Sequence, residues 1–231
     1  MCGRFTNTMT WAEIRALYNL TAAQAAPNLA PRWNIAPTEE TGIVRMEGNA
    51  RTFQQVRWGL VPAWSKGPDS RYSMFNARAE TVREKPAFRA AFRARRCLVP
   101  ATGFYEWQAT GHGKQPYLIQ PKDEGPMTFA GLWERWKPED GGENTPDAIE
   151  SMTIVVTEAN RLAARIHDRM PVILAAENFE TWLTGDPDAA AALLRPWPDG
   201  RLKATPVSTA INRAGRDEDG LVQKTGPTIA D

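Results

Sequence analysis

Cys2 follows the initiator Met directly, and cysteine is small enough for normal methionine removal. Removal would leave a chain that begins with a 1,2-aminothiol. An α-amino group has a pKa of about 7.7–8, against about 10.4 for lysine, so its free-base fraction at neutral pH is roughly 300-fold larger. Such an amine condenses with aldehydes, and the neighbouring thiol can trap the product. On position alone, Cys2 reads first as an inert residue beside the initiator. The rest of the catalytic inventory is small. The chain has two His and two Cys, none at metal-ligand spacing, so neither a zinc site nor any other metal or cofactor is expected. Gly111-His112-Gly113-Lys114 lacks the full spacing of a phosphate loop and the Ser/Thr after its Lys. There is no Gly-x-Ser-x-Gly elbow, and Lys224-Thr225-Gly226 stands without the partner motifs of penicillin-binding enzymes.

Six segments share an order along the chain. They are Met1-Cys2-Gly3-Arg4-Phe5, Trp58-Gly59-Leu60-Val61-Pro62-Ala63-Trp64, Asn76-Ala77-Arg78-Ala79-Glu80-Thr81, Arg96-Cys97-Leu98-Val99-Pro100, Gly103-Phe104-Tyr105-Glu106-Trp107 and His167-Asp168-Arg169-Met170-Pro171. Together they resemble the SOS-response-associated peptidase (SRAP) family, the abasic-site processing proteins. The resemblance runs from residue 1 to about 174. It implies binding of single-stranded DNA that carries an abasic site, and a covalent DNA–protein crosslink in the DNA damage response. The N-terminal cysteine would join the ring-opened deoxyribose aldehyde as a thiazolidine. The peptidase label implies release of the N-terminal residue. Abasic-site lyase activity and crosslink reversal are further activities of some members.

By the same resemblance Cys2, Asn76, Glu106 and His167 form the catalytic set. His167, with an ordinary pKa of about 6.5, would open the sugar ring as acid and base. Glu106 would take a proton from the ammonium and stabilise the cationic iminium. Asn76, donor and acceptor together, would orient the sugar or the amine. Taken singly, each has a plainer reading. Glu106 could be an outward-facing strand residue, His167 a satisfied, partly buried histidine, and Asn76 a cap. Cys97, in an apolar run, reads as core.

Arg4, Arg78 and Arg169 each lie two residues from a member of that set. In a strand, i and i+2 share a face, so all three are expected to contact phosphates beside the lesion. Trp58, Trp64 and Trp107 sit beside motif residues and offer faces on which bases could stack. Asn34 and Pro37, in Trp33-Asn34-Ile35-Ala36-Pro37-Thr38, also match the family and are expected in the cleft. Residues 83–96 hold six basic residues against one acid, while residues 139–150 hold five acids and no base. The net charge of +1 therefore hides a polarised chain. A protein that coats nucleic acid by bulk charge is usually more basic, so any DNA contact here must be local.

The elements that must position these residues follow from length and pattern. The 231 residues are 42% hydrophobic and 24% charged, which is ample for a globular core. No apolar run approaches the ~18 residues of a membrane span, and the N-terminus has no apolar stretch of signal-peptide length. A cytoplasmic protein is expected, nucleoid-associated when on DNA, monomeric and without membrane contact. Thr10-Trp11-Ala12-Glu13 has capping-box spacing ahead of a helix over 11–19. Strands are predicted at 42–46, 53–58, 97–99, 103–107, 117–120, 128–133, 152–157, 172–174 and 202–207. Residues 59–75 read as a long loop. Further helices are predicted at 85–95, 159–165 and 177–184, with another capped by Asp186 and opened by Pro187. Strands outnumber helices without alternating with them. The expected class is α+β, one domain over 1–207 with a mostly antiparallel, barrel-like sheet, then a mobile tail over 208–231. Two other functions remain open: a peptidase or amidohydrolase with Cys2 as N-terminal nucleophile, and a noncatalytic reader of modified bases.

Overall fold

The computed structural model describes residues 2–21, 25–68, 74–111, 113–138 and 148–230. Met1, His112, residues 69–73 of the predicted 59–75 loop and residues 139–147 of the acidic segment lie outside these. The class is α+β and mostly antiparallel.

The larger sheet contains β3 (Glu40–Glu47), β4 (Ala50–Trp58), β6 (Arg96–Ala101), β9 (Met127–Trp136), β10 (Ile149–Glu158) and the short β11 (Arg169–Pro171). Its order is β11-β10-β4-β3-β6-β9, and β9 also pairs with β10. Strands β10, β4, β3, β6 and β9 thus close into a small barrel, which leaves few free edges. The β3–β4 hairpin turns on Gly48 at φ +59°, a backbone region that glycine enters without strain. Parallel to β10, β5 (Asn76–Arg78) continues the line of β4, pairing Asn76 with Ile154.

The second sheet runs β13 (Ile229–Ala230), β12 (Leu202–Pro206), β8 (Gly113–Pro121), β7 (Gly103–Thr110), β1 (Phe5–Asn7), β2 (Arg32–Ile35). Phe5 is fully buried between the sheets, edge-on to Trp58 at 5.1 Å and to Phe129 at 5.9 Å. Truncating a core Phe costs about 3–5 kcal/mol, so this ring is a strong anchor for the chain that precedes it.

Helix α1 (Trp11–Tyr18) starts as its capping box predicts. The Glu13 N–H donates to Thr10 Oγ1 at 3.3 Å, and the Thr10 N–H to Glu13 Oε2 at 2.7 Å. In α4 (Pro187–Ala191), Asp186 caps and Pro187 opens the helix. Helix α2 (Arg89–Ala94) is shorter than predicted, with turns around Pro86 before it. The predicted 159–165 helix is a single 3₁₀ turn at Ala163–Arg165, and α3 (Phe179–Thr184) follows another.

Two expectations are corrected. Residues 172–174 are extended but form no ladder. Val172 donates to Val155 O, Ile173 bridges Phe129 and Leu174 donates to Thr128 O, so the segment crosses from one strand to the next. The strand there is β11, just before it. The chain from Ser208 is not a free tail either. It makes 3₁₀ turns at Thr209–Asn212 and Asp219–Val222, buries Ile211 and Leu221 against Tyr105 and Leu118, and ends in β13 on the edge of β12. Its polar composition conceals two apolar anchors of the kind that hold a segment down.

Candidate active site

β1 and β7 pair antiparallel, Phe5 with Phe104 and Thr6 with Gly103. The Tyr105 N–H then donates to Arg4 O at 3.0 Å. Carried backward, this register brings Gly3 and Cys2 alongside Glu106 and Trp107. From the other side, the first residue of β5 reaches in: Asn76 Nδ2 donates to the Cys2 carbonyl at 2.8 Å. Asn76 Oδ1 is buried and accepts no hydrogen bond among the described residues. The Cys2 thiol is fully buried, with Sγ 3.9 Å from Arg4 O. His167 lies on the loop between β10 and β11, and Gln108 Nε2 of β7 donates to Arg165 O of that loop at 2.8 Å. The four predicted catalytic residues therefore come from four chain segments that meet where the two sheets join.

The electrostatics follow from burial. Burial pushes the Cys2 thiol well above its ordinary range, and the nearby Glu106 charge pushes it further. Glu106 is 2% exposed. Burial raises its carboxyl to about 7, with Asp168 adding to the rise and the positive charge of the chain's amino terminus opposing it. His167 is shifted down, first by burial. Its Nδ1 accepts the Arg169 N–H at 3.1 Å, which leaves the proton of the neutral ring on Nε2. Asp168 Oδ1, 2.9 Å from the same nitrogen, finds a proton there only when the ring is charged. The group holds a protonated thiol, a carboxyl that titrates near neutrality and a neutral imidazole. Such a set is arranged to move protons rather than to keep a standing thiolate.

The predicted DNA contacts divide. Trp58 is a correction: it is fully buried and its Nε1 donates to Phe75 O at 2.8 Å, so it is a core residue with no face for a base. Arg4 and Asn34 also turn inward. Arg4 Nη1 donates to Asn34 Oδ1 at 2.7 Å and to Ile211 O at 2.9 Å, and Asn34 is 1% exposed. Arg169 pairs with Glu80. Pro37 is half-buried in the turn after β2, and Trp107 is half-buried with Nε1 on Asn212 Oδ1 at 2.7 Å. Arg78 is exposed and makes no ion pair among the described residues, and Trp64 is 66% exposed. In the basic segment Arg83 pairs with Asp188 and Arg95 with Glu134, while buried Arg96 donates to the carbonyls of Trp182, Phe92 and Gly185. Lys85, Arg89 and Arg93 stay exposed.

Sequence reasoning missed Tyr105, Asn212 and Asp217. Asp217 accepts the N–H groups of Trp33 and Asn34 and pairs with Arg32 across 185 residues of chain. No local pattern signals such a contact.

A family model described as SOS response associated peptidase (SRAP) matches residues 1–214. The chain is 36% identical over 229 residues to "Abasic site processing protein YoqW" of Bacillus subtilis (strain 168), covering 96% of this chain and 99% of that protein. It is 29% identical to "Abasic site processing protein HMCES" of Xenopus tropicalis, over all of this chain and 82% of that protein. A crystal structure of a protein from Bacteroides thetaiotaomicron superposes with a TM-score of 0.85 at 28% identity, covering 97% of this chain and all of that one.

Proposed function

The chain belongs to the SOS response associated peptidase family, and from that premise we propose that it processes abasic sites by capturing them covalently through Cys2. Its substrate is single-stranded DNA with a ring-opened abasic sugar. The observation that carries this reading is the grip on the N-terminal cysteine. Asn76 holds the Cys2 carbonyl, and beside the buried thiol lies a carboxyl that titrates at about 7.

Removal of Met1 frees the Cys2 amine. His167, neutral and half-buried, takes the hydroxyl proton of the closed hemiacetal and returns a proton to the ring oxygen, which exposes the C1′ aldehyde. The amine attacks C1′ while the C1′ oxygen takes a proton from solvent, giving a carbinolamine whose nitrogen is still an ammonium. Glu106 accepts the ammonium proton and returns it to the departing hydroxyl, so water leaves and an iminium forms. The carboxylate then faces a cation in a site with little water, where the attraction is strong. The thiol gives its proton to Glu106 as sulfur adds to C1′ and closes the five-membered ring. Aldehyde and aminothiol become thiazolidine and water, with no change of oxidation state. Asn76 Oδ1 is a buried acceptor for the amine N–H or a sugar hydroxyl.

A general cysteine peptidase would need a thiol lowered towards thiolate at rest. Burial moves Cys2 the other way.

The test mixes a single-stranded oligonucleotide bearing one abasic site with the purified protein, after intact mass has shown that Met1 is gone. A shifted band on a denaturing gel with wild type, absent with Cys2→Ala, is expected. No band from the processed wild type sinks the reading and turns attention to peptide substrates.

A further inference from the structure

The residues on either side of the reactive groups are tied, directly or through β2, to residues 211–217, more than 100 positions away. Arg4, two residues from Cys2, donates Nη1 to Asn34 Oδ1 and Ile211 O. Asn34 Nδ2 faces the carbonyls of Ile211, Arg213 and Arg216 at 3.3, 3.2 and 2.7 Å. Asp217 Oδ1 takes the Trp33 and Asn34 N–H groups at 2.5 and 3.1 Å, while Oδ2 takes Arg32 Nε. On β7, the Tyr105 hydroxyl donates to Trp33 O at 2.8 Å and Trp107 Nε1 to Asn212 Oδ1 at 2.7 Å.

Alternate residues of a strand point to opposite faces. Tyr105 and Trp107 bracket Glu106, so the 211–217 segment covers the face opposite the carboxylate. By fixing that face it aims Glu106 at Cys2. Through β2 and its pairing of Ile35 with Phe5, the same segment fixes the strand that carries Cys2. Both halves of the reacting pair therefore share one external brace. Asp217, which ties it to β2, lies beyond the 1–214 span of the family model.

We propose that Asp217 and Asn212 are positioning residues for the reaction at Cys2, and that residues 211–217 form a structural wall of the site. The inference rests on the crosslinking reading above. It also gives Arg4 a different task from phosphate contact, because its Nη1 is committed to the brace. A displacement of about 1 Å can cost as much as about 100-fold in rate. Asp217→Asn keeps the shape but removes the charge that holds Arg32. Asn212→Ala removes the Trp107 bond.

The experiment measures the first-order crosslinking rate at saturating abasic oligonucleotide for wild type, Asp217→Asn and Asn212→Ala. Kd for the unmodified oligonucleotide and hydrogen exchange of the amides of residues 3–6 are measured alongside. The expected result is a rate lowered about tenfold or more, Kd within about twofold and faster exchange in residues 3–6. Wild-type rates in both variants overturn the inference, and so does a weakened Kd with an intact saturating rate. If wild type forms no crosslink, the reading of Cys2 fails, and the exchange data still decide the brace: unchanged protection in both variants removes it. Should Asp217→Asn fail to fold, Asn212→Ala carries the test, since it loses one bond to a half-buried side chain.

Discussion

Cys2 and Cys97 are both fully buried, and burial pushes both thiols well above their ordinary range. What surrounds them differs. Cys97 is the second residue of β6, inside the closed barrel, opposite Gly131. A Cβ at Gly131 would lie 2.8 Å from its Sγ, so the neighbouring strand is glycine to admit the sulfur. Its carbonyl accepts Trp182 Nε1 at 2.9 Å, and its amine is locked in a peptide within the ladder. The charge that acts on it is the cation of Arg45. Cys2 lies just beyond the end of a ladder, beside a carboxyl that titrates near neutrality. Burial alone therefore does not separate the cysteine proposed to react from the one in the core. The difference lies in the chain end, which can release an amine, and in a proton acceptor within reach.

The largest expected effect tests that contrast directly. Cys2→Ala abolishes the crosslink, whereas Cys97→Ala leaves it at the wild-type rate and lowers stability by about 1 kcal/mol, read from urea denaturation. A crosslink that survives Cys2→Ala and disappears with Cys97→Ala would invert the comparison. Next in size is Glu106→Gln, expected to slow single-turnover crosslinking by about 10²–10⁴, the usual range for a lost acid–base group. The wild-type rate should rise with pH through about 7 as Glu106 loses its proton. In the Gln variant only the amine's own titration, near about 7.7–8, remains. A wild-type midpoint unchanged by the substitution would take Glu106 out of the proton path.

The same carboxyl has a stability consequence. Its folded pKa, about 7, lies above the unfolded value of 4.5, so the folded state keeps the proton longer. Its contribution is fully present below pH 4.5 and is lost as pH rises to about 7, by up to about 3 kcal/mol. Glu106→Gln should therefore be the more stable protein at pH 8 and nearly equal to wild type at pH 4.5. Equal denaturation midpoints at pH 8 would show that the site solvates Glu106 better than its burial suggests. Cys97, with no carboxyl beside it, should give no such pH-dependent gain on substitution.

That Cys2, Asn76, Glu106 and His167 gather in one place is legible because ordered motifs carry them, and their catalytic roles are the proposal made above; the Thr10 and Asp186 caps are legible because capping is local. Trp58 was misread because a motif shows which residues gather, not which way an indole points: its ring fills the gap beside Phe5. The inward turn of Arg4 and Asn34 is hidden from the sequence for a related reason. Their partners, Ile211 to Asp217, lie in a polar stretch where two buried apolar side chains outweigh the composition. Contacts across 177 to 207 residues leave no periodicity to read.

Two smaller effects concern how DNA approaches Cys2 rather than Cys97. Among the described residues Trp64 is the large apolar side chain most open to solvent, on the loop that follows β4. Its truncation to Ala should weaken binding of single-stranded DNA by about 1–3 kcal/mol if a base stacks there. Arg78 should matter least in affinity but most distinctively in its salt dependence. It stands two residues from Asn76 in β5, on the same face of the strand as the amide that holds Cys2. Arg4 donates to the brace and Arg169 pairs with Glu80, so of the three arginines beside the catalytic set Arg78 is the exposed one. One phosphate contact on a single strand contributes about 0.7 to the slope of log K against log salt. Fluorescence anisotropy across a salt series should therefore give Arg78→Ala a slope shallower by about that amount, and Arg4→Ala a slope equal to wild type. An unchanged slope for Arg78→Ala removes it from the phosphate path, and a shallower slope for Arg4→Ala would mean that its guanidinium leaves the brace when DNA arrives.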